Sequence, residues 1–223
     1  MINPLLFSPS PRDIQAVLKL WDTLQYDHLI EKYKKPLDAY QDAKKYFLDH
    51  EEYTHLVVCP DDLEVTREAL QILTDDIKLL DDPPVIAGMC NMDENQPELY
   101  NIQAMGISYA DNKPPAGKNS WMRKKDLPKE VIFEVGFAGF ACEFIRRDIM
   151  GMVSFMGATT DNQGNMDWGF TKECNMMDVP IFVDKRVNLW HRRIEQYKEV
   201  KEFRAGRLHA GEQAEFIIKG KKN

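Results

Sequence analysis

Two adjacent carboxylates, Asp61 and Asp62, stand behind an apolar run of strand character, His55 to Cys59, and a proline, Pro60. A helical pattern begins near Thr66. A strand that releases carboxylates at its C-terminal end puts them where open α/β sheets bind their ligands. There they can hold a hard divalent cation, and the cation can hold a phosphate. A plainer account also fits, because Asp favours turns and helix N-termini. A third acid, Asp167, opens a later helical pattern, where by itself it reads as the helix N-cap. His191 follows an extended run beside Trp190. By itself it reads as a partly exposed histidine packed beside that tryptophan.

The elements that must position these residues alternate through the first half. Pro4–Ser8 reads as a short strand broken by Pro9, Ser10 and Pro11, and Asp13 caps a helix carrying Ile14, Val17, Leu18, Trp21 and Leu24 at helical spacing. His28–Tyr33 is a second strand, and Pro36 opens a helix through Leu48 with Leu37, Tyr40, Ala43, Tyr46 and Phe47 on one face. A strand at Leu56–Cys59 and a helix from Thr66 to about Leu80 follow, and Pro83 and Pro84 separate that helix from a strand at Val85–Cys90. This order predicts an α/β fold with a mixed, mainly parallel sheet flanked by helices.

Beyond Asn91 the pattern changes. Strands are expected at Leu99–Tyr109, Val131–Val135 and Pro180–Asp184, with Arg186–His191 extended, and polar loops at Asp111–Ser120 and Gly157–Met166. Gly136-Phe137-Ala138-Gly139 is expected to lead by a tight turn into a helix over Phe140–Met150, with Arg146 and Arg147 on its surface. Asp167–Met177 reads as a further helix. The tail from Arg192 carries both charges, with a helix around Glu195–Phe203. The expected organisation is one domain over 1–191, in two halves at 1–90 and 91–191, and a charged, partly helical tail at 192–223.

Composition narrows the function classes. Of 223 residues, 43% are hydrophobic and 10% aromatic, which suits a packed globular protein. The net charge of −7 argues against a nucleic-acid partner. The four cysteines form no close pair in sequence, so a cysteine-based zinc site is not expected and they read as buried thiols in a reducing compartment. No stretch approaches the roughly 20 apolar residues of a membrane span. With no basic leader visible, the expectation is a cytoplasmic protein without an integral membrane segment.

The order of these landmarks resembles the nucleotide-sugar-dependent glycosyltransferases of the GT-A fold, particularly those like family 2. The resemblance runs from the first strand to His191. It rests on the strand followed by Pro60-Asp61-Asp62, the Gly136–Asp148 stretch, Met166-Asp167-Trp168-Gly169-Phe170, Val179–Asp184 and Trp190-His191. It implies that Asp62 holds Mn²⁺ or Mg²⁺ against the donor diphosphate, with His191 as a further ligand. It also implies that Asp61 replaces the contact of the motif's first Asp, whose place Pro60 occupies. Ser8 and Pro9 fall where the family receives the nucleotide base, and Gly139 lies in the loop beneath the donor sugar. Asp167 falls on the general base, with Met166 where the family has a preceding acid.

The resemblance therefore implies a metal-dependent, inverting transferase. It would use a nucleoside diphosphate sugar as donor and a glycan, lipid-linked or protein acceptor. The departures at Pro60 and Met166 keep open a non-catalytic nucleotide-sugar or glycan-binding module on the same fold. A nucleotidyltransferase would carry a Gly-rich loop after the first strand, where this chain has Ser8 to Arg12 without glycine. A glycoside hydrolase also uses two carboxylates but needs no nucleotide-binding half.

Overall fold

Short apolar runs bounded by proline and acidic turns become the strands of a mixed sheet, and the runs of helical period cover its two faces. The computed structural model describes residues 1–10, 21, 23–32, 36–93, 96–105, 121–155, 166–191 and 215–219. Along the chain they form β1 (Pro4–Ser10), β2 (His28–Lys32), helix α1 (Pro36–Asp49), β3 (His55–Val58), β4 (Leu63–Glu64) and α2 (Arg67–Leu79). Next come β5 (Val85–Asp93), β6 (Gln96–Gln103), β7 (Trp121–Arg123), a 3-10 turn at Lys124–Asp126, β8 (Ile132–Val135) and β9 (Phe137–Ala138). The remainder is β10 (Glu143–Arg146), α3 (Arg147–Met152), α4 (Met166–Met176), β11 (Ile181–His191) and β12 (Glu215–Lys219).

The main path of the sheet runs β12-β2-β1-β3-β10-β5-β11-β4. β1 is parallel to both β2 and β3, and β5 is parallel to β11. β10 lies between β3 and β5, antiparallel to both. The chain leaves β1 toward β2 on one side and returns to β3 on the other. The sheet therefore changes direction between β1 and β3, and a crevice opens at the carboxyl ends of such strands.

One core cluster packs α1, α3 and α4 on one face, with Phe7, Phe47, Phe155 and Phe170 fully buried. The other packs α2 on the opposite face with Leu6, Leu70, Leu73 and Phe144. Thr66 caps α2 by accepting the Ala69 N–H at 3.1 Å, as its position before the helical period leads one to expect.

Three expectations need correction. First, Gly136–Gly139 does not lead into a helix over Phe140–Met150: β9, a bend and β10 intervene, and the helix begins at Arg147. Burial along β10 has strand period, with Phe144 in one core cluster and Ile145 in the other. Arg147 is also no surface residue of a long helix. It donates to the carbonyls of Phe47 at 2.7 Å and Tyr53 at 2.9 Å, and lies over the Phe47 ring. Second, Pro9 does not end β1, which pairs with β2 as far as Ser10. Pairing with β3 stops at Phe7, so Pro9 sits where β1 has a neighbour on one side and a missing N–H is tolerated. Third, the tail contributes β12, antiparallel to β2. The helices expected at 14–24 and 195–203 lie largely or wholly outside the described residues.

β11 is a single strand with a large bulge. Val183 pairs with Ala87 and Asn188 with Met89, so five steps along β11 span two along β5. Gly88 makes room for it: a Cβ there would stand 2.5 Å from Val187 Cγ1 and 2.9 Å from the Val187 carbonyl. Arg186 locks the bulge, donating to Asp184 Oδ2 at 2.8 Å and Asp76 Oδ1 at 2.6 Å. Burial, then the neighbouring Asp184 carboxyl, push the Asp76 carboxyl up to about 7, against the pull of Arg186.

Candidate active site

The carboxylate turn begins where β3 ends. Cys59 still donates its N–H to Phe7 at 2.9 Å, and Leu63 N–H then closes a turn on the Pro60 carbonyl at 3.2 Å. The short strand β4 that follows pairs antiparallel with the end of β11, setting Glu64 opposite Trp190 and Leu63 opposite His191. This pairing brings His191 Nε2 to 3.1 Å from Asp62 Oδ2. The other ring nitrogen, Nδ1, lies 3.2 Å from the Asn91 carbonyl and can only donate to it. With Nδ1 bearing the proton, a neutral His191 turns its Nε2 lone pair on a carboxylate. A second proton or a cation must lie between them. A histidine that gives its distal N–H to a backbone carbonyl is arranged as metal-ligating histidines are.

Asp62 and His191 thus fit a hard or borderline divalent cation as a two-residue donor set. Among the described residues no group of three His, Cys, Asp or Glu side chains is placed to hold a metal ion. A six-coordinate cation would therefore take its remaining ligands from water and from a ligand's oxygens.

Asp167 stands in the first turn of α4 and accepts the Trp168 N–H at 2.9 Å. Burial pushes its carboxyl up to about 6, against the opposing effect of backbone N–H bonds. Only a part of it stays open, toward the cleft. Behind it Glu143 is fully buried with neither oxygen hydrogen-bonded, and burial, then the Asp167 charge, push it well above the usual range. With no partner for either oxygen, burial disfavours the charged form of Glu143.

Asp62, His191 and Asp167 line one cleft of about 430 Å³. Among the described residues lining it, Asp62 and Asp167 are the only carboxylates and His191 is the only basic side chain. One wall is aromatic: Phe137 stacks on Trp168 at 4.1 Å, and Trp121 meets both edge-on at 5.5 and 6.1 Å. Tyr40 and Phe140, stacked at 5.4 Å, contribute further ring surface.

Of the residues singled out in the sequence, Pro9, Asp62, Gly139, Asp167 and His191 meet at this cleft. Ser8 and Asp61 are fully buried and are not among its lining residues. Arg146 lies at the opposite end of the strands, since β10 sets it beside His55 at the start of β3, and there it pairs with Asp148 at 2.7 Å. In the Trp121–Lys125 stretch Trp121 lines the cleft, while Arg123 pairs with Glu98 at 3.3 Å. The loops at 106–120 and 156–165 lie outside the described residues.

Asn101 was missed by sequence reasoning. Its Oδ1 accepts the Cys90 N–H at 2.7 Å and its Nδ2 donates to the Gly139 carbonyl at 3.0 Å. Gly139 N–H returns a bond to the Asn101 carbonyl at 2.8 Å, so the glycine loop is clamped to β5 and β6. A Cβ on Gly139 would come within 3.0 Å of Asn101 Nδ2. The one available signal was an amide between the apolar Tyr100 and Ile102 in a strand.

No protein-family model matches the chain, and no curated protein matches it. Among solved structures it is similar to one titled "Crystal Structure of A197 from STIV", with a TM-score of 0.56 and 17% identity over 86% of each chain. At that identity the likeness shows the fold alone, a mixed α/β architecture.

Proposed function

We propose that the chain is a metal-dependent, inverting glycosyltransferase of the GT-A type, moving a sugar from a nucleoside diphosphate donor to an acceptor hydroxyl. The observation that carries this reading is the convergence of the Asp62–His191 pair and Asp167 on one cleft. The position of that cleft, beside the β1/β3 crevice, supports it as well.

Asp62 and His191 would hold Mn²⁺ or Mg²⁺, which supplies charge neutralisation for the departing diphosphate. The need for it follows from the lining: a diphosphate meets two carboxylates and one imidazole there, and no Lys or Arg among the described lining residues. Asp167 takes the proton from the acceptor hydroxyl as that oxygen attacks the anomeric carbon. Its raised pKa suits the task, because a stronger acid's conjugate base would accept the proton poorly. Trp168 and Trp121 offer ring surface beside that base and exclude water from the reacting hydroxyl.

The first experiment is thermal stabilisation by a panel of nucleoside diphosphates and nucleotide sugars, with and without Mn²⁺, on wild type and Asp62→Ala. One nucleotide should raise Tm only with Mn²⁺, and Asp62→Ala should abolish the rise. No shift with any nucleotide would remove the donor site. Pro60 and Met166, in place of two acids of the family pattern, favour a second reading: a binding module without turnover. Donor binding without transfer to any acceptor would select it.

A further inference from the structure

We propose that Cys59 and Cys142 are a disulfide-forming pair that staples the carboxylate turn to β10. This inference does not rest on the transferase reading. In sequence the two cysteines are far apart and show no pairing pattern. The sheet brings them together. β3 and β10 are antiparallel, with Val58 opposite Glu143 and Val57 opposite Phe144. The ladder ends at that Val58–Glu143 pair, and Cys59 and Cys142 are the residues immediately beyond it, one on each strand. Side chains there alternate consistently, since Val57, Cys59, Cys142 and Phe144 all belong to one core cluster while Val58 and Ile145 belong to the other.

At the Val58–Glu143 pair that closes the ladder, opposed Cα atoms are about 4.5–5.5 Å apart, so the residues just beyond it begin within the range a disulfide spans. Burial pushes the Cys59 thiol well above its ordinary value, and the neighbouring Cys142 thiol adds to the shift. Both are fully buried among apolar side chains. Cys142 also has a φ of 58°, a left-handed conformation that a residue with a Cβ holds only when its surroundings impose it. Cys174 lies in the opposite core cluster, while Cys90 shares the cluster of Cys59 and Cys142 but stands on β5, outside the β3–β10 pairing.

The bond forms by exchange with a small-molecule disulfide such as oxidised glutathione. One cysteine thiolate attacks the oxidant's S–S bond and releases one thiol. The second cysteine thiolate then displaces the other, so two protein thiols lose two electrons and two protons and the oxidant becomes two thiols. Since both sulfurs are buried, the exchange takes place as the chain folds, before the core closes over them. Once made, the bond joins the residue that starts the Pro60–Asp62 turn to the residue preceding Glu143, across a loop long enough to restrict the unfolded chain strongly.

The test is to refold the full reduced chain in a glutathione redox buffer, and to map the product by thiol titration and peptide mass spectrometry. The expected product has lost two thiols and carries one bridge joining the peptides of Cys59 and Cys142. Its Tm lies about 10 °C above that of the dithiothreitol-reduced form. Backbone hydrogen exchange at residues 59–64 should slow in the bridged form and recover on reduction. A Cys59→Ala/Cys142→Ala chain should show no redox-dependent Tm. Should that variant fail to fold, the wild-type peptide map decides alone. Four free thiols after refolding, or a bridge to Cys90 or Cys174, would overturn the proposal.

Discussion

Asp167 illustrates how one residue ties stability to chemistry. Its carboxyl is pushed up to about 6 in the folded chain, chiefly by burial, while an unfolded chain holds it near the ordinary carboxylate value of about 3.9. Between those values the native state binds the proton more tightly. The group's contribution to stability is therefore fully present below about pH 3.9 and is lost as pH rises through about 6. Catalysis by a base needs the opposite form. Transfer at saturating donor should rise through an apparent pKa near 6, and a flat profile from pH 5 to 7 would reassign the base. Asp167→Asn should keep Mn²⁺-dependent donor binding and lose about 10²- to 10⁴-fold in kcat. Turnover at the wild-type rate would sink the assignment. The same variant should flatten the acid end of a Tm-versus-pH curve, because the titrating group is gone.

At the scale of elements, the bulge in β11 decides where His191 arrives. Five steps of β11 against two of β5 consume residues that a regular ladder would have paired, and Gly88 is what lets the bulge close. Gly88→Ala should cost about 1–3 kcal/mol, because its new Cβ meets Val187 and the Ala141 carbonyl, which stands 3.0 Å away. For a chain of this size that is a Tm drop of about 2–4 °C per kcal/mol, read by calorimetry. Mn²⁺ affinity should fall with it, since the register of Asn188–His191 depends on the bulge. Unchanged stability would mean that β5 and β11 part more easily than their packing implies.

Elements also show what was readable in advance. The Thr66 cap, the helix at Pro36 and the strands at His28 and Val85 depend on local spacing, and the structure has them within a residue or a few at each end. β10 was not readable. The run from Phe140 to Ile145 suits helix and strand alike, and the gap between β3 and β5 that selects the strand is supplied by distant residues.

The whole molecule gathers its charged cleft residues from both halves of the chain. Asp62 and His191 are 129 positions apart, yet β4 and β11 hold them within hydrogen-bond distance. Since the described lining offers a diphosphate no basic side chain other than His191, cation and nucleotide should stabilise the fold only together. At about a hundredfold over Kd the pair should add about 2.7 kcal/mol, or roughly 5–10 °C in Tm. A full shift with nucleotide alone, in the presence of a chelator, would contradict the cation's role.

Sequence alone determined that strands and helices alternate in the first half and that a carboxylate turn follows a buried strand. It also showed an acid opening a late helix. Each of these follows from side-chain period, turn chemistry or capping within about a dozen residues. Only the tertiary structure decided that Asp62 faces His191, that Asn101 clamps Gly139 and that Cys59 and Cys142 flank the end of the β3–β10 ladder. It also decided that Ser8 and Asp61 are buried away from the cleft. The physical reason is that strand neighbours are chosen by the whole sheet, through buried area and ladder register, and neither quantity is carried by any one segment.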